Sequence, residues 1–195
     1  MKSPVVLFNP RSAKWKHRIP MSILQVGASI HETHKVLFVD GNAEEDPLER
    51  ISAYIKEEGV SIFGVTVMPG PQLKQAIPIS KEIKNRFPEI TIVWGGYFAT
   101  NQHPVVLSSG FVDYVVSGPG DDTFPQLLQA LEQGLPTDKI KNLIYLEKGE
   151  IKKTLKDILR DQDALPQLPY SYFNKFYPLK AVSYTHLTLP TTPYV

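Results

Sequence analysis

The feature that most constrains this chain is an alternation of two kinds of segment. Over the first 133 residues, short apolar runs take turns with longer stretches of helical periodicity. The apolar runs are Val5–Phe8, Val36–Val39, Ser61–Thr66, Ile90–Trp94 and Val112–Val116. They are β-rich and nearly continuous in apolar character, as parallel strands buried on both faces must be. Between them, Met21–Ile30, Pro47–Glu57, Gln72–Phe87 and Asp121–Leu131 repeat apolar residues close to every 3.6 positions. Pro104–Ser109 suits one short helical turn. Pro78 falls inside the third helical stretch, where an interior proline costs about 3 kcal/mol, so a kink or a later start is expected.

Five strands alternating with helices predict an α/β fold with a doubly wound parallel sheet. Right-handed crossovers leave few topologies. Five strands favour the flavodoxin-like (Rossmann-like) order 2-1-3-4-5, with its ligand crevice beyond the strand C-termini. After Gly134 the pattern changes. Asn142–Glu147 and Lys148–Ile151 predict a β-hairpin with a glycine turn. Residues 156–180 carry Pro166, Pro169 and Pro178 among aromatics and read as a linker. The expected organisation is an α/β domain over residues 1–135, a hairpin and linker over 136–182, and a tail over 183–195. That tail has no period and resembles a translated sequencing-adapter end, so it is set aside from fold reasoning; a natural disordered terminus is the alternative.

Composition narrows function mainly by exclusion. The net charge is +1 with mixed signs, so nothing draws the chain to nucleic acid. No apolar stretch approaches the roughly 18 residues that span a bilayer, and no signal peptide is apparent, so a cytoplasmic location is expected. The chain has no cysteine, which excludes disulfides, thiolate metal sites, a cluster bound by this chain and a cysteine nucleophile. The five histidines, His17, His31, His34, His103 and His186, are scattered without metal-ligand spacing. No catalytic residue and no metal ligand is expected within the chain.

The candidate chemistry lies in loops at the predicted strand ends. After the fourth strand stand Gly95, Gly96, Tyr97, Phe98 and Thr100; after the fifth stand Gly118, Gly120 and Thr123. Glycine pairs there remove β-carbons and admit a bulky group close to the backbone, although a tight turn uses glycine equally well. Asp121 and Asp122 are expected to cap the following helix. Thr66 and Val67 end the third strand and offer a hydroxyl. Asn9 opens a long polar loop with Arg11, Lys14, Lys16 and Arg18, either a solvated loop or a lid. No G-x-G-x-x-G follows the first strand, no P-loop is present, and Thr66 stands where a phosphoacceptor acid would be needed.

These segments in order resemble the N-terminal B12 (cobalamin)-binding domain of B12-dependent radical SAM proteins. The carriers are Arg18-x-Pro20-x-x-x-Leu24, Asp40 ending the second strand, Gly64-Val65-Thr66, Gly95-Gly96-x-x-x-Thr100, Gly118-x-Gly120-x-x-Thr123-Phe124 and Asp163-x-Leu165-Pro166. They cover residues 4–178. The chain departs from the family at Pro119 and Asp121, which replace the acids of the Gly-Glu-Gly-Glu usual there in the family, and at Phe98, often His. It also lacks Asp-x-His-x-x-Gly after the first strand.

The resemblance implies a cobalamin-binding module of an enzyme that performs methyl transfer or a radical rearrangement or cyclisation. Cobalamin would bind base-off and His-off, its tail near Asn9, Thr66, Val67, Gly95, Gly96, Tyr97, Phe98, Thr100, Gly118, Gly120 and Thr123. The [4Fe–4S] cluster and S-adenosylmethionine would belong to a radical SAM catalytic domain that this cysteine-free chain lacks, so the chain alone is not expected to be catalytic. Two other readings stand: a flavodoxin-like ligand-binding or sensory domain without cobalamin, and a degenerate domain whose crevice is sealed by Met68, Tyr97 and Phe98.

Overall fold

A computed structural model describes residues 2–12, 19–157 and 165–173. The rest of the basic loop with His17, the Asp163 of the linker motif, Pro178 and the tail lie outside the described residues. In chain order the elements are β1 (Lys2–Asn9), α1 (Met21–Ala28), β2 (His34–Asp40), α2 (Pro47–Glu58), β3 (Ile62–Thr66), α3 (Leu73–Arg86) and β4 (Thr91–Gly95). There follow α4 (Gly96–Asn101), α5 (His103–Ser108), β5 (Tyr114–Val116), α6 (Thr123–Gln133), β6 (Leu143–Glu147) and β7 (Glu150–Lys153), then a 3-10 turn at Tyr170–Phe173. No helix among the described residues is long and apolar enough to cross a membrane.

The sheet runs β2-β1-β3-β4-β5-β6-β7, with the first five strands mutually parallel. The expected order 2-1-3-4-5 is present, and the sheet is two strands wider than the parallel core alone. The hairpin does not stand apart: β6 pairs antiparallel with β5, Val115 opposite Ile144, and β7 pairs with β6. This covers the β5 edge, which would otherwise present unpaired backbone groups. The hairpin turn is Lys148-Gly149, with φ of 51° and 83°. Two successive positive values are what a tight hairpin turn of matching twist requires.

Each central strand divides its side chains between two cores, following the period of two. Val6 and Phe8 join Ile51, Ile83, Trp94 and Leu107 under α2, α3, α4 and α5. Val5 and Leu7 join Leu24, Val93, Val116, Phe124 and Leu127 under α1 and α6. On the first face the indole N–H of buried Trp94 donates to the buried Ser80 hydroxyl at 3.0 Å. Removing that acceptor leaves a buried donor without a partner. Ser80→Ala is therefore expected to cost ~1–3 kcal/mol, read from the urea midpoint at unchanged slope; an unmoved midpoint would show that the bond carries no stability.

Pro78 remains inside α3 and the helix starts at Leu73. The proline lies on an exposed face. The carbonyl left without a donor, that of Lys74 four residues earlier, is therefore near water, which offsets part of the cost. The segment after β4, read from sequence as a loop, is helical from Gly96 onward.

Candidate functional site

The strand alternation also places the site. Past the core residues Leu7 and Val116 under α1 and α6, the same face continues through Gly64, Thr66, Gly95 and Gly118. Small residues there leave the end of the face uncovered. The result is a cavity of about 240 Å³ at the C-terminal ends of β3, β4 and β5. Its side walls are α1, through Ser22, Ile23, Gln25 and Val26, and the turn into α6, through Pro119, Gly120, Asp121 and Phe124.

Three glycines shape this space in different ways. A β-carbon at Gly64 would lie 2.8 Å from Leu7 Cδ2 and 3.3 Å from the Phe124 ring. Glycine at that point in β3 lets Phe124 rest directly on the sheet. A β-carbon at Gly95 or at Gly118 would meet nothing within 4 Å. Those two positions open the mouth.

Two buried side-chain atoms on residues of this mostly apolar lining have no hydrogen-bond partner: Gln25 Nε2 and Asp121 Oδ1. Both residues line the cavity. Buried polar atoms are almost always paired, so an unpaired donor and an unpaired acceptor in one cavity point to a ligand or solvent that completes them. Asp121 is the single ionisable residue among the described residues that line the cavity. Ser22 and Thr66 add hydroxyls to the lining.

Of the residues expected from sequence, the cavity brings together Thr66, Gly95, Gly96, Gly118 and Gly120. The others are placed elsewhere. Asn9 Nδ2 donates to Asp40 Oδ1 at 2.8 Å, and Asn9 Oδ1 accepts from Gln72 Nε2 at 3.1 Å. That buried network ties β1, β2 and α3 together. Val67 is buried; its N–H donates to the Gly95 carbonyl and its carbonyl accepts from Phe98 N–H. Thr100 Oγ1 accepts from Gly118 N–H at 3.2 Å, clamping the two glycine segments to each other. Thr123 Oγ1 donates to the Lys141 carbonyl. Phe98 packs against the core on the opposite face of the sheet.

Met68 and Tyr97 point outward, 49% and 63% exposed. None of Met68, Tyr97 and Phe98 lines the cavity, so the sealed-crevice reading does not hold. Asp122, the residue before α6, makes no side-chain capping bond to the helix. Gln25, Ser22 and Val26 were not anticipated. Their signal was a lone amide in an otherwise apolar helical run. The linker comes near: Leu165, Pro166, Gln167, Leu168 and Tyr170 line a second pocket with Gln25, and Leu168 packs onto the α1–α6 core.

The B12 binding domain family matches residues 17–128. An uncharacterized methyltransferase of Pyrococcus horikoshii is 27% identical over 149 residues, 75% of this chain and 32% of that protein. The anaerobic magnesium-protoporphyrin IX monomethyl ester cyclase of Synechocystis is 22% identical over 163 residues, 77% and 32%. The chain thus spans about a third of the length of these relatives. Among solved structures, the cobalamin-dependent S-adenosylmethionine radical enzyme OxsB, with aqua-cobalamin and S-adenosylmethionine bound, superposes with TM-score 0.78 at 16% identity. That match covers 89% of this chain and 25% of OxsB. The radical S-adenosylmethionine methyltransferase TsrM of Kitasatospora setae, with cobalamin and a [4Fe–4S] cluster bound, superposes with TM-score 0.70 at 21% identity, covering 86% and 31%.

Proposed function

Since this chain belongs to the B12-binding domain family, we propose that it is the cobalamin-binding module of a larger radical S-adenosylmethionine enzyme. The observation that carries the reading is the open apolar cavity at the strand ends, with Gly95 and Gly118 facing empty space at its mouth.

The cavity fits part of a cobalamin and not the whole. At about 240 Å³ it is below the roughly 300–1,000 Å³ of pockets for drug-sized ligands. One aromatic arm enters it; a macrocycle does not. Leu7, Val26, Val116 and Phe124 would bury the faces of the lower base, and Gln25 would donate to its free ring nitrogen. Exposed Met68 and Tyr97 would offer apolar surface to the corrin beside the mouth. With the base held in the cavity, this reading has the corrinoid base-off, and no histidine of the described residues lines the cavity.

When bound, the corrinoid would supply a methyl group, or a partner for radical rearrangement or cyclisation, to the catalytic half of the parent enzyme. In this reading residues 1–135 hold the cofactor and 136–182 lead toward that half, which brings the [4Fe–4S] cluster and S-adenosylmethionine. The tail 183–195 has no assigned role, and the enzyme works in the cytoplasm.

The test is retention. The purified chain is mixed with hydroxocobalamin or methylcobalamin, desalted, and its absorbance recorded. The reading expects stoichiometric corrinoid with a base-off spectrum. A colourless chain after mixing well above micromolar concentration would refute it.

A further inference from the structure

We propose that Gln25 and Asp121 make the cavity selective for a lower base that carries an amino group beside a ring nitrogen, as adenine does, over a dimethylated benzimidazole. The inference rests on the corrinoid reading above and deepens it by naming the class of base.

The argument starts from the two unpaired atoms. Gln25 Nε2 is a donor and Asp121 Oδ1 an acceptor, both are buried, and both residues line the cavity. A ligand that satisfies one and not the other leaves the second desolvated and unpaired, which is costlier than the average hydrogen bond is favourable. Dimethylbenzimidazole attached through one nitrogen presents one ring-nitrogen acceptor and two methyl groups. It can accept from Gln25. It has no donor for Asp121.

Adenine presents ring-nitrogen acceptors and an exocyclic amine. A ring nitrogen accepts from Gln25 while the amine donates to the Asp121 carboxylate, a charge-assisted bond. The apolar walls, Leu7, Val26, Val116 and Phe124, stack on either ring and do not discriminate. Burial of the two methyl groups works against the preference, so the expected net selectivity is moderate, ~10-fold.

Leu165, Pro166, Gln167, Leu168 and Tyr170 line a second pocket together with Gln25.

The experiment is equilibrium dialysis of the full chain against adeninylcobamide, cobalamin and cobinamide, the last lacking a base altogether. The proposal expects adeninylcobamide to bind ~10-fold tighter than cobalamin, with cobinamide weakest. It also expects Asp121→Leu to reverse the order, weakening adeninylcobamide and tightening cobalamin, and Gln25→Glu to weaken both relative to cobinamide. A reversal cannot come from misfolding, which would weaken every corrinoid alike. Equal affinities for the two bases, or an Asp121→Leu variant with an unchanged ratio, would overturn the selectivity and leave the corrinoid reading intact. Failure to bind any of the three would overturn both.

Discussion

Gly95→Phe is expected to fold with wild-type stability and to lose corrinoid affinity by at least ~100-fold, about 2.7 kcal/mol. The first half follows from the backbone. Gly95 has φ −128° and ψ −175°, an extended conformation that any residue adopts. Its β-carbon would meet nothing within 4 Å. A side chain added there should shift the unfolding midpoint by no more than ~0.5 kcal/mol. The second half follows from alternation. Trp94 packs in the α2–α5 core and Val93 in the α1–α6 core, so position 95 faces the α1–α6 side, where the cavity is. A phenyl ring would occupy the entry that the proposed reading gives to the lower base. Urea denaturation and a corrinoid titration on the same preparation separate the two effects. Retained binding in a folded Gly95→Phe protein would mean that the ligand does not pass this edge.

The neighbouring glycine is expected to behave in the opposite way. Gly96 has φ +88°, and a β-carbon there would stand 2.8 Å from the Val67 carbonyl oxygen and 2.9 Å from the Val67 nitrogen. Both contacts are backbone, so no side chain can turn aside to relieve them. Val67 N–H is bonded to the Gly95 carbonyl and Val67 carbonyl to Phe98 N–H, so pushing Val67 away breaks the join between the end of β3 and the first turn of α4. Gly96→Ala is expected to destabilise the domain by ~2–4 kcal/mol, backbone strain and clash together. Gly134→Ala is the control. Gly134 also has positive φ, +64°, but a β-carbon there meets nothing within 4 Å, so only the strain, ~1 kcal/mol, should appear. Similar losses at the two positions would show that the Val67 contact adds nothing. The two adjacent glycines thus carry separate duties: Gly96 builds the turn and Gly95 keeps the slot open.

The parallel core could be read from the sequence because strands buried on both faces leave continuous apolar runs, such as Val5–Phe8, and the helices between them carry their own period. The Lys148-Gly149 turn was marked by its glycine. The attachment of that hairpin to β5 was not legible, because strand pairing is a long-range choice and Leu143–Glu147 alternates no differently from a free hairpin. The helix α4 was hidden by Gly95-Gly96, a pair that signals a turn; the glycine at the first helical position serves the close approach to Val67.

At the site, the sheet-end glycines and Thr66 were recoverable because a strand's last residues must face the crevice. The α1 wall was not. Gln25 is one polar residue on an apolar helix until the docking of α1 shows which way it faces. Asp121 was misread as a cap because acids before a helix usually serve that purpose, while here Oδ1 has no hydrogen-bond partner. Asn9, Thr100 and Thr123 have the right position along their strands and loops, but their polar groups are engaged within the fold.

The central claim is that the crevice takes the lower base of a corrinoid and keeps it off the cobalt. Its most direct test is the electron paramagnetic resonance spectrum of cob(II)alamin bound to the chain. In free cob(II)alamin the axial nitrogen of the coordinated base splits each cobalt line into three. The account predicts that the bound form shows cobalt lines without that nitrogen splitting, in the wild-type chain and equally in His17→Ala. Retained threefold splitting would contradict it, placing a nitrogen, from the base or from a histidine, on the cobalt.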